Sequence, residues 1–164
     1  MDTFPAITLT QDTDPEALAT VHELFLEYSN NVGVNLEFQD FKNELATLPG
    51  DYAEPRGAIL VAWVDGAVAG CCALRPLDSC DYPNAAEMKR LYVRKAFRGF
   101  GLGQQLAEAT LDAARRAGYA CVLLDTLDEM ESARALYANL GFEEIPPYYH
   151  NPLPGSHYFK VDID

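Results

Sequence analysis

The segment Arg98–Gly103 reads RGFGLG and places three glycines at alternate positions between two segments of different character. The residues before it, MKRLYVRKAF, are typical of a strand, and the residues after it, QQLAEATLDAARRAG, are typical of an amphipathic helix. A helix N-terminus exposes unpaired N–H groups and the positive end of the helix dipole, and glycines let an anion approach that backbone closely. The segment therefore predicts a cradle for a phosphate or pyrophosphate group, with Arg98 adding a charge-assisted contact.

Two familiar phosphate-binding patterns match this segment poorly. A Walker A loop needs a lysine and a hydroxyl residue after its last glycine, and neither follows Gly103. The dinucleotide fingerprint needs a wider final glycine spacing and an early first strand, whereas this turn lies late in the chain. A purely structural alternative stays open, in which the glycines only permit a tight turn from strand to helix.

The charge distribution also favours a small polyanion at this place. The formal net charge of −13 argues against nucleic acid or an anionic membrane surface as a partner. Five of the twelve basic residues nevertheless lead into the glycine turn without an intervening acid. They are Lys89, Arg90, Arg94, Lys95 and Arg98. A solvated charged face is the alternative interpretation of this run.

Apolar periodicity and turn residues predict one mixed α/β domain over residues 1–164. The predicted order is a strand, two helices, three strands, a helix, a strand, a helix and two strands. The corresponding segments are ITLT; DPEALATVHELFLEYSNN and FQDFKNELATL; AILVAWV, AVAGCCALRPL and AAEMKRLYVR; GLGQQLAEATLDAARRAG; YACVLLDT; MESARALYANL; FEEI and HYFKVDI.

Compartment and metal content are also predicted from the sequence. No apolar run is long enough to span a membrane, and the N-terminus MDTFPAITLTQDTD lacks the features of an export signal. The four cysteines lack the spacing of metal ligands, and His22, His150 and His157 lie far apart in the chain. We therefore expect a cytoplasmic protein with reduced thiols and no metal site.

The glycine segment matches the R/Q-x-x-G-x-G/A signature of the GNAT acetyltransferase superfamily, whose loop wraps the pyrophosphate of acetyl-coenzyme A (acetyl-CoA). SARALYANLGFEE resembles the helix and turn after that family's fifth strand, and the element order agrees over the whole chain. FQDFKNELATLPGDYAEPRGAILVA and IPPYYHNPLPG resemble a subgroup of small bacterial members. The resemblance implies the GNAT fold, a mixed central sheet of about six to seven strands flanked by four helices.

This resemblance implies transfer of an acetyl group from acetyl-CoA to a primary amine of a small molecule, by direct attack in a ternary complex. The protein is expected to be a monomer or a homodimer. Two alternatives remain: a noncatalytic module that binds an acyl-CoA, and an acetyltransferase acting on protein N-termini or lysines.

Catalytic residues are assigned by the same resemblance. Tyr137, in ALYANLGF, is the expected acid for the coenzyme A sulfur, since a phenol with a pKa near 10 stays protonated at neutral pH. Its alternative role is an aromatic ring packed beneath the cofactor. Glu87 is the expected base, directly or through water. A salt bridge from Glu87 to Lys89 or Arg90 is the alternative.

Cofactor and acceptor contacts follow from the family pattern as well. Backbone groups of Leu91 and Val93 are expected to bond the pantetheine arm like an added strand. The full cofactor-binding set is Leu91, Tyr92, Val93, Arg98, Gly99, Phe100, Gly101, Leu102, Gly103, Ala133 and Tyr137. Many members have asparagine where this chain has Met130, which puts a side-chain contact there in doubt.

The acceptor is expected between the first two helices and the last strands. The candidate lining residues are Tyr28, Asn31, Phe38, Tyr148, Tyr149 and His150. Aromatic rings in a negative overall field favour a cationic amine. The alternative is that the same aromatic residues only close the core.

The faces of the third long strand are predicted from regular alternation. On a regular strand, Glu87 would share its face with Lys89, Leu91 and Val93, opposite Met88, Arg90 and Tyr92.

Overall fold

The computed structural model describes residues 6–32, 41–127, 131–149 and 155–163. Within these residues, seven strands form one sheet in the order β1-β2-β3-β4-β5-β7-β6. The strands are β1 (Ile7–Thr10), β2 (Ala58–Val64), β3 (Ala67–Leu77), β4 (Ala85–Val93), β5 (Cys121–Leu127), β6 (Glu143–Ile145) and β7 (Ser156–Asp162). The helices are α1 (Pro15–Val32), α2 (Phe41–Ala46), α3 (Leu102–Ala117) and α4 (Glu131–Asn139). The predicted element order and the mixed sheet with four helices are confirmed.

Local sequence signals explain several element boundaries. Asp14 caps α1, because its Oδ1 accepts a 2.9 Å hydrogen bond from the Ala17 N–H. Asp65 and Gly66 join β2 to β3 with φ of 50° and 85°, the left-handed conformation that a two-residue hairpin turn requires. Residues close together in the chain therefore set these two boundaries.

The two largest hydrophobic clusters of the described residues lie on opposite faces of the sheet, and each is covered by a pair of helices. Leu102 and Leu106 of α3 lie with Tyr137 of α4 in the cluster on one face, called the α3 cluster below. Phe25 of α1 and Phe41 of α2 lie in the cluster on the other face, called the α1 cluster below. No described helix combines the length and the apolar character that crossing a membrane requires.

A bulge in β4 changes which side chains face which cluster. Cys71 pairs with Tyr92 and Ala73 pairs with Lys89, so that Arg90 and Leu91 together lie opposite a single residue of β3. Arg90 has a φ of 61°, an uncommon value for a residue with a side chain. The extra residue interrupts the strand alternation at this point.

The predicted sharing of faces along β4 is therefore wrong beyond Lys89. Leu91 and Val93 pack with Met88 against the α3 cluster, whereas regular alternation would have put them opposite Met88. The Arg90 side chain instead lies over Tyr28 on the α1 side. The cause is the extra residue of the bulge, since one inserted position reverses all later side chains.

Candidate active site

The candidate site lies where β4 and β5 separate. These parallel strands pair only through Ala85 with Cys121, Ala86 with Val122 and Glu87 with Leu123. Beyond Glu87, β5 supplies no ladder partner to the facing edge of β4, although both strands continue. A ligand with an extended, amide-bearing chain can pair with such an edge as an added strand. The predicted pantetheine-binding residues Leu91 and Val93 lie on this part of β4.

The glycine turn follows directly from this open part of β4. Gly99 and Gly101 have φ of 100° and 73°, a conformation that strongly favours glycine. A side chain added at either position would meet nothing within 4 Å, so the turn borders open space. The first turn of α3 adds N–H groups that lack intrahelical partners. This open, positively polarised backbone suits the diphosphate of a coenzyme A.

Gly103 has a different role from the two glycines before it. A Cβ added there would lie 3.3 Å from Cδ1 of Leu136, so the glycine allows α4 to pack closely against the first turn of α3. Leu136 precedes the predicted acid Tyr137 in α4. Close helix packing therefore brings the glycine turn and the segment of Tyr137 together.

The basic run before the glycine turn does not form one surface. Arg90 donates two 2.9 Å hydrogen bonds to Glu44, and Arg94 donates a 3.0 Å hydrogen bond to Glu27. Lys89 is buried as well, whereas Lys95 and Arg98 are exposed. Arg98 also donates a 3.1 Å hydrogen bond to the carbonyl of Val93, which ties the turn to the end of β4. Only part of the run is thus placed to attract a polyanion.

Tyr137 lies in the α3 cluster and is 6% exposed. Its ring packs against Phe142 and Phe159, with ring centroids 5.6 Å and 6.4 Å away. Burial, followed by the nearby groups of Cys72, Tyr28 and Asp125, raises the pKa of Tyr137 well above its usual value. The hydroxyl therefore carries its proton throughout the physiological pH range.

Glu87 lies at the last paired position before the gap, and it is 2% exposed. Arg75 Nε donates a 2.8 Å hydrogen bond to its Oε1, and Lys89 Nζ lies 3.9 Å from the same oxygen. Tyr148 donates a 2.7 Å hydrogen bond to Oε2. Burial would raise the pKa of Glu87, but the charges of Lys89 and Arg75 and the hydrogen bonds together hold it below its usual value. Glu87 is therefore an ionised carboxylate in a buried polar network.

The alternative role of Glu87 was a salt bridge to Lys89 or Arg90, and the structure contains one of these two contacts. The Lys89 contact is present, whereas Arg90 pairs with Glu44 and not with Glu87. The principal partner, Arg75, was not identified from the sequence. The sequence does mark Arg75, because it is the lone charged residue within the apolar strand AVAGCCALRPL and a buried charge requires a partner.

Two of the predicted acceptor residues bridge the gap between the strands. Tyr148 bonds Glu87 of β4, and the hydroxyl of Tyr149 donates a 2.6 Å hydrogen bond to Oδ2 of Asp125 in β5. Both tyrosines also pack against Tyr158, with ring centroids 5.4 Å and 5.8 Å away. Asp125 was also not identified from the sequence, although it is a lone acid in the apolar run YACVLLDT.

The structure describes the side chains of only some of the other predicted acceptor and cofactor residues. The Tyr28 ring lies on α1, and the Arg90 guanidinium carbon is 5.5 Å from its centroid. This ring thus contacts an internal cation and packs against the α1 cluster, as the alternative of an aromatic that closes the core would have it. Asn31 lies in α1 and Ala133 in α4, but their side chains fall outside the described residues. Phe38, Met130 and His150 lie outside the described residues altogether.

The described residues contain no group of three His, Cys, Asp or Glu side chains that could hold a metal ion. Cys71 and Cys72 are fully buried on opposite faces of β3, in the α1 and α3 clusters respectively. Burial raises the pKa of the Cys72 thiol to about 12, so it stays protonated at neutral pH.

Comparisons with known proteins agree with this architecture. Residues 18–142 match the Acetyltransferase (GNAT) family. A Schizosaccharomyces pombe protein named as an uncharacterized N-acetyltransferase is 38% identical over 96% of this chain and 93% of its own length. The likeness therefore extends beyond the bacterial subgroup that the sequence resembles.

Solved structures show the same fold. A GNAT acetyltransferase from Staphylococcus aureus Mu50 superposes with a TM-score of 0.77 at 20% identity, covering 97% of this chain and 100% of that chain. A Salmonella typhimurium structure described as yncA with its cofactor acetyl-CoA gives 0.67 at 22% identity, covering 97% and 95%. Together with the open edge of β4 and the glycine turn, these matches establish that the chain belongs to the GNAT acetyltransferase family and is an N-acetyltransferase.

Proposed function

We propose that this protein transfers the acetyl group of acetyl-CoA to a primary amine of a small molecule, by direct attack in a ternary complex. The observation that carries the proposal is the separation of β4 from β5 directly before a glycine turn that borders open space. A thioester carrier needs an edge for its amide-bearing arm and a cradle for its diphosphate, and both occur here in sequence.

Bound acetyl-CoA would supply an acetyl thioester to this site. Backbone groups of Leu91 and Val93 hold its pantetheine arm, and the N–H groups around Gly99, Gly101 and the start of α3 hold its diphosphate. The exposed guanidinium of Arg98 adds a positive charge beside that turn. The remaining members of the proposed binding set are Tyr92, Phe100, Leu102, Gly103, Ala133 and Tyr137.

Tyr137 holds the proton that the departing sulfur requires. Burial raises its pKa and keeps the hydroxyl protonated, and the same apolar setting makes the departing thiolate more basic, so that the proton can pass from oxygen to sulfur. Packing by Phe142 and Phe159 fixes the ring, so the proton is presented from a defined position.

Glu87 is the proposed proton acceptor on the amine side, acting through a water molecule. Its carboxylate is ionised, and each of its oxygens retains lone pairs beyond the bonds from Arg75 and Tyr148. Because its lowered pKa makes Glu87 a weak base, it orients the water molecule that takes the amine proton and carries that proton to solvent. A direct abstraction by Glu87 would need a pKa closer to neutrality.

The acceptor site is proposed on the α1 and α2 side of the gap, with Tyr28, Asn31, Phe38, Tyr148 and Tyr149 in its lining. The bonds of Tyr148 and Tyr149 hold residues 148–149 across β4 and β5, so this part of the chain covers the gap. A covered site favours a small acceptor over a protein N-terminus or lysine, which needs an open groove.

Two measurements test this function. Calorimetry with acetyl-CoA should show binding at micromolar concentration, and release of free thiol should require an amine from a small-molecule library. Gel filtration of the same sample measures whether the protein is a monomer or a homodimer. Thiol release with lysine-bearing peptides but with no small amine would instead support a protein acceptor. Absence of acetyl-CoA binding at millimolar concentration would contradict the proposal.

A further inference from the structure

A pocket of about 220 Å³ lies beside α2 on the acceptor side of the sheet. Asn43 and Thr47 of the α2 region, Asp51 and Tyr52 of the following turn, and Arg75 of β3 line it. This volume suits a ligand of a few heavy atoms or one end of a larger one. We propose that Arg75 binds a carboxylate of the acceptor in this pocket, so that the enzyme selects amines that also carry an acid group. This inference rests on the N-acetyltransferase function proposed above.

The hydrogen bonding of Arg75 leaves most of its guanidinium available. Nε donates to Glu87 at 2.8 Å, which fixes the plane of the group. Among the described residues this is its single hydrogen bond, since Nη1 lies 3.8 Å from Asp51 Oδ2. The side chain is 34% exposed, in contrast to the 2% exposure of Glu87. The terminal N–H groups can therefore form the two parallel hydrogen bonds that a carboxylate accepts from arginine.

The acids in the pocket wall do not cancel this attraction. Glu44 lines the pocket, but both of its carboxylate oxygens accept 2.9 Å hydrogen bonds from the buried Arg90. Asp51 forms a longer ion pair with Arg75, in which its Oδ2 lies 3.8 Å from Nη1. Because the Asp51 side chain is 74% exposed, this pair is weak and an incoming carboxylate can compete for Nη1. An incoming carboxylate would therefore find an arginine that is held in place and incompletely paired.

Arg75 lies beside the point where β4 and β5 separate. It pairs across β3 and β4 with Glu87, which is the last residue of β4 that pairs with β5. A carboxylate bound to Arg75 would therefore place the acceptor next to the start of the gap.

The first experiment measures acceptor binding directly by calorimetry in the presence of coenzyme A, which lacks the acetyl group. The panel contains L-amino acids, their primary amides and the corresponding decarboxylated amines. For the matching series, the carboxylate should bind the wild-type protein at least about tenfold more tightly than the amide, the difference expected for hydrogen bonds to a charged group. Equal binding of carboxylate and amide would overturn the proposal.

The second experiment uses variants of Arg75. Arg75→Gln should lower the ratio of carboxylate to amide affinity, and the corresponding ratio of kcat/KM values, by at least about tenfold. The ratio is compared because loss of Arg75 also changes Glu87 and therefore the rate with every acceptor. Arg56→Gln, which removes an exposed arginine paired to Asp78, should leave both acceptors unchanged. An equal loss for carboxylate and amide in Arg75→Gln would assign Arg75 a structural role through Glu87 and would contradict the proposal.

The two experiments separate this inference from the function on which it rests. Carboxylate-selective binding that Arg75→Gln abolishes, without acetyl transfer by the wild type, would support the Arg75 site and contradict the acetylation proposal. Acetyl transfer that shows no preference for carboxylate acceptors would support the function and overturn the role of Arg75.

Discussion

Tyr148 donates a 2.7 Å hydrogen bond to Oε2 of Glu87, although 61 residues separate the two in the chain. This bond joins the segment after β6 to the last paired residue of β4. It is one of the interactions that hold the pKa of Glu87 below its usual value. The pKa of Glu87, the proposed proton acceptor, thus depends on Tyr148, which is remote from it in the sequence.

Tyr148→Phe should raise the pKa of Glu87, since it removes a hydrogen bond to the charged form. The acidic limb of the pH dependence of kcat/KM should therefore move to higher pH. Tyr149→Phe, which removes the bond to Asp125 instead, is the matched control and should leave that limb in place. An acidic limb that moves equally in both variants would contradict a specific link from Tyr148 to Glu87.

Tyr137→Phe should lower kcat by at least about tenfold, because it removes the proton donor for the sulfur. Acetyl-CoA affinity should change little, since the packed ring is retained. Tyr119→Phe removes another buried hydroxyl, one that donates a 2.6 Å hydrogen bond to the Arg56 carbonyl, and should keep kcat. Steady-state kinetics and calorimetry on both variants check this. An unchanged kcat in Tyr137→Phe would remove Tyr137 from the acid role.

Gly101→Ala should weaken acetyl-CoA binding by about tenfold or more, because a methyl group would stand between the anion and the backbone N–H groups. It also costs about 1 kcal/mol of stability at a φ of 73°. Gly66→Ala carries similar backbone strain at a φ of 85°, in the β2–β3 turn, and should leave acetyl-CoA affinity unchanged. Similar losses of affinity in both variants would show that strain, and not the cradle, determines binding.

Glu87→Gln should lower the free energy of unfolding at pH 7 by about 2 kcal/mol, because Arg75 and Lys89 lose their buried counter-charge. A carboxyl group whose pKa is lowered on folding stabilises the protein above its unfolded pKa, and this contribution is lost as pH falls through the folded value. The difference from wild type should therefore shrink as the pH falls below about 4.

Urea unfolding of Glu87→Gln and wild type at pH 7 and at pH 3.5 measures this difference. Asp78→Asn, which breaks an exposed ion pair with Arg56, serves as the control and should show little effect at either pH. A Glu87→Gln effect that persists undiminished at low pH would contradict a lowered pKa. For activity, a pH–rate profile that Glu87→Gln leaves unshifted would place the proton acceptor elsewhere.

The order of the elements and the glycine turn could be predicted from the sequence, since both depend on residues close together in the chain. Asp14 caps α1, Asp65 and Gly66 form the hairpin turn, and the left-handed glycines border the start of α3. Each of these features is a preference of a short backbone segment, and such preferences can be read from composition and spacing.

The partners of the charged side chains depend instead on how distant segments pack together. Regular alternation predicted the wrong face for Leu91, because the bulge at Arg90 depends on pairing with β3. Likewise, Glu87 finds Arg75 through the register of two strands, and Tyr148 reaches Glu87 through the path of a distant segment. Burial and register are set by contacts between remote parts of the chain, so the ionisation of Glu87 and the exposure of Arg75 follow from packing and not from local sequence.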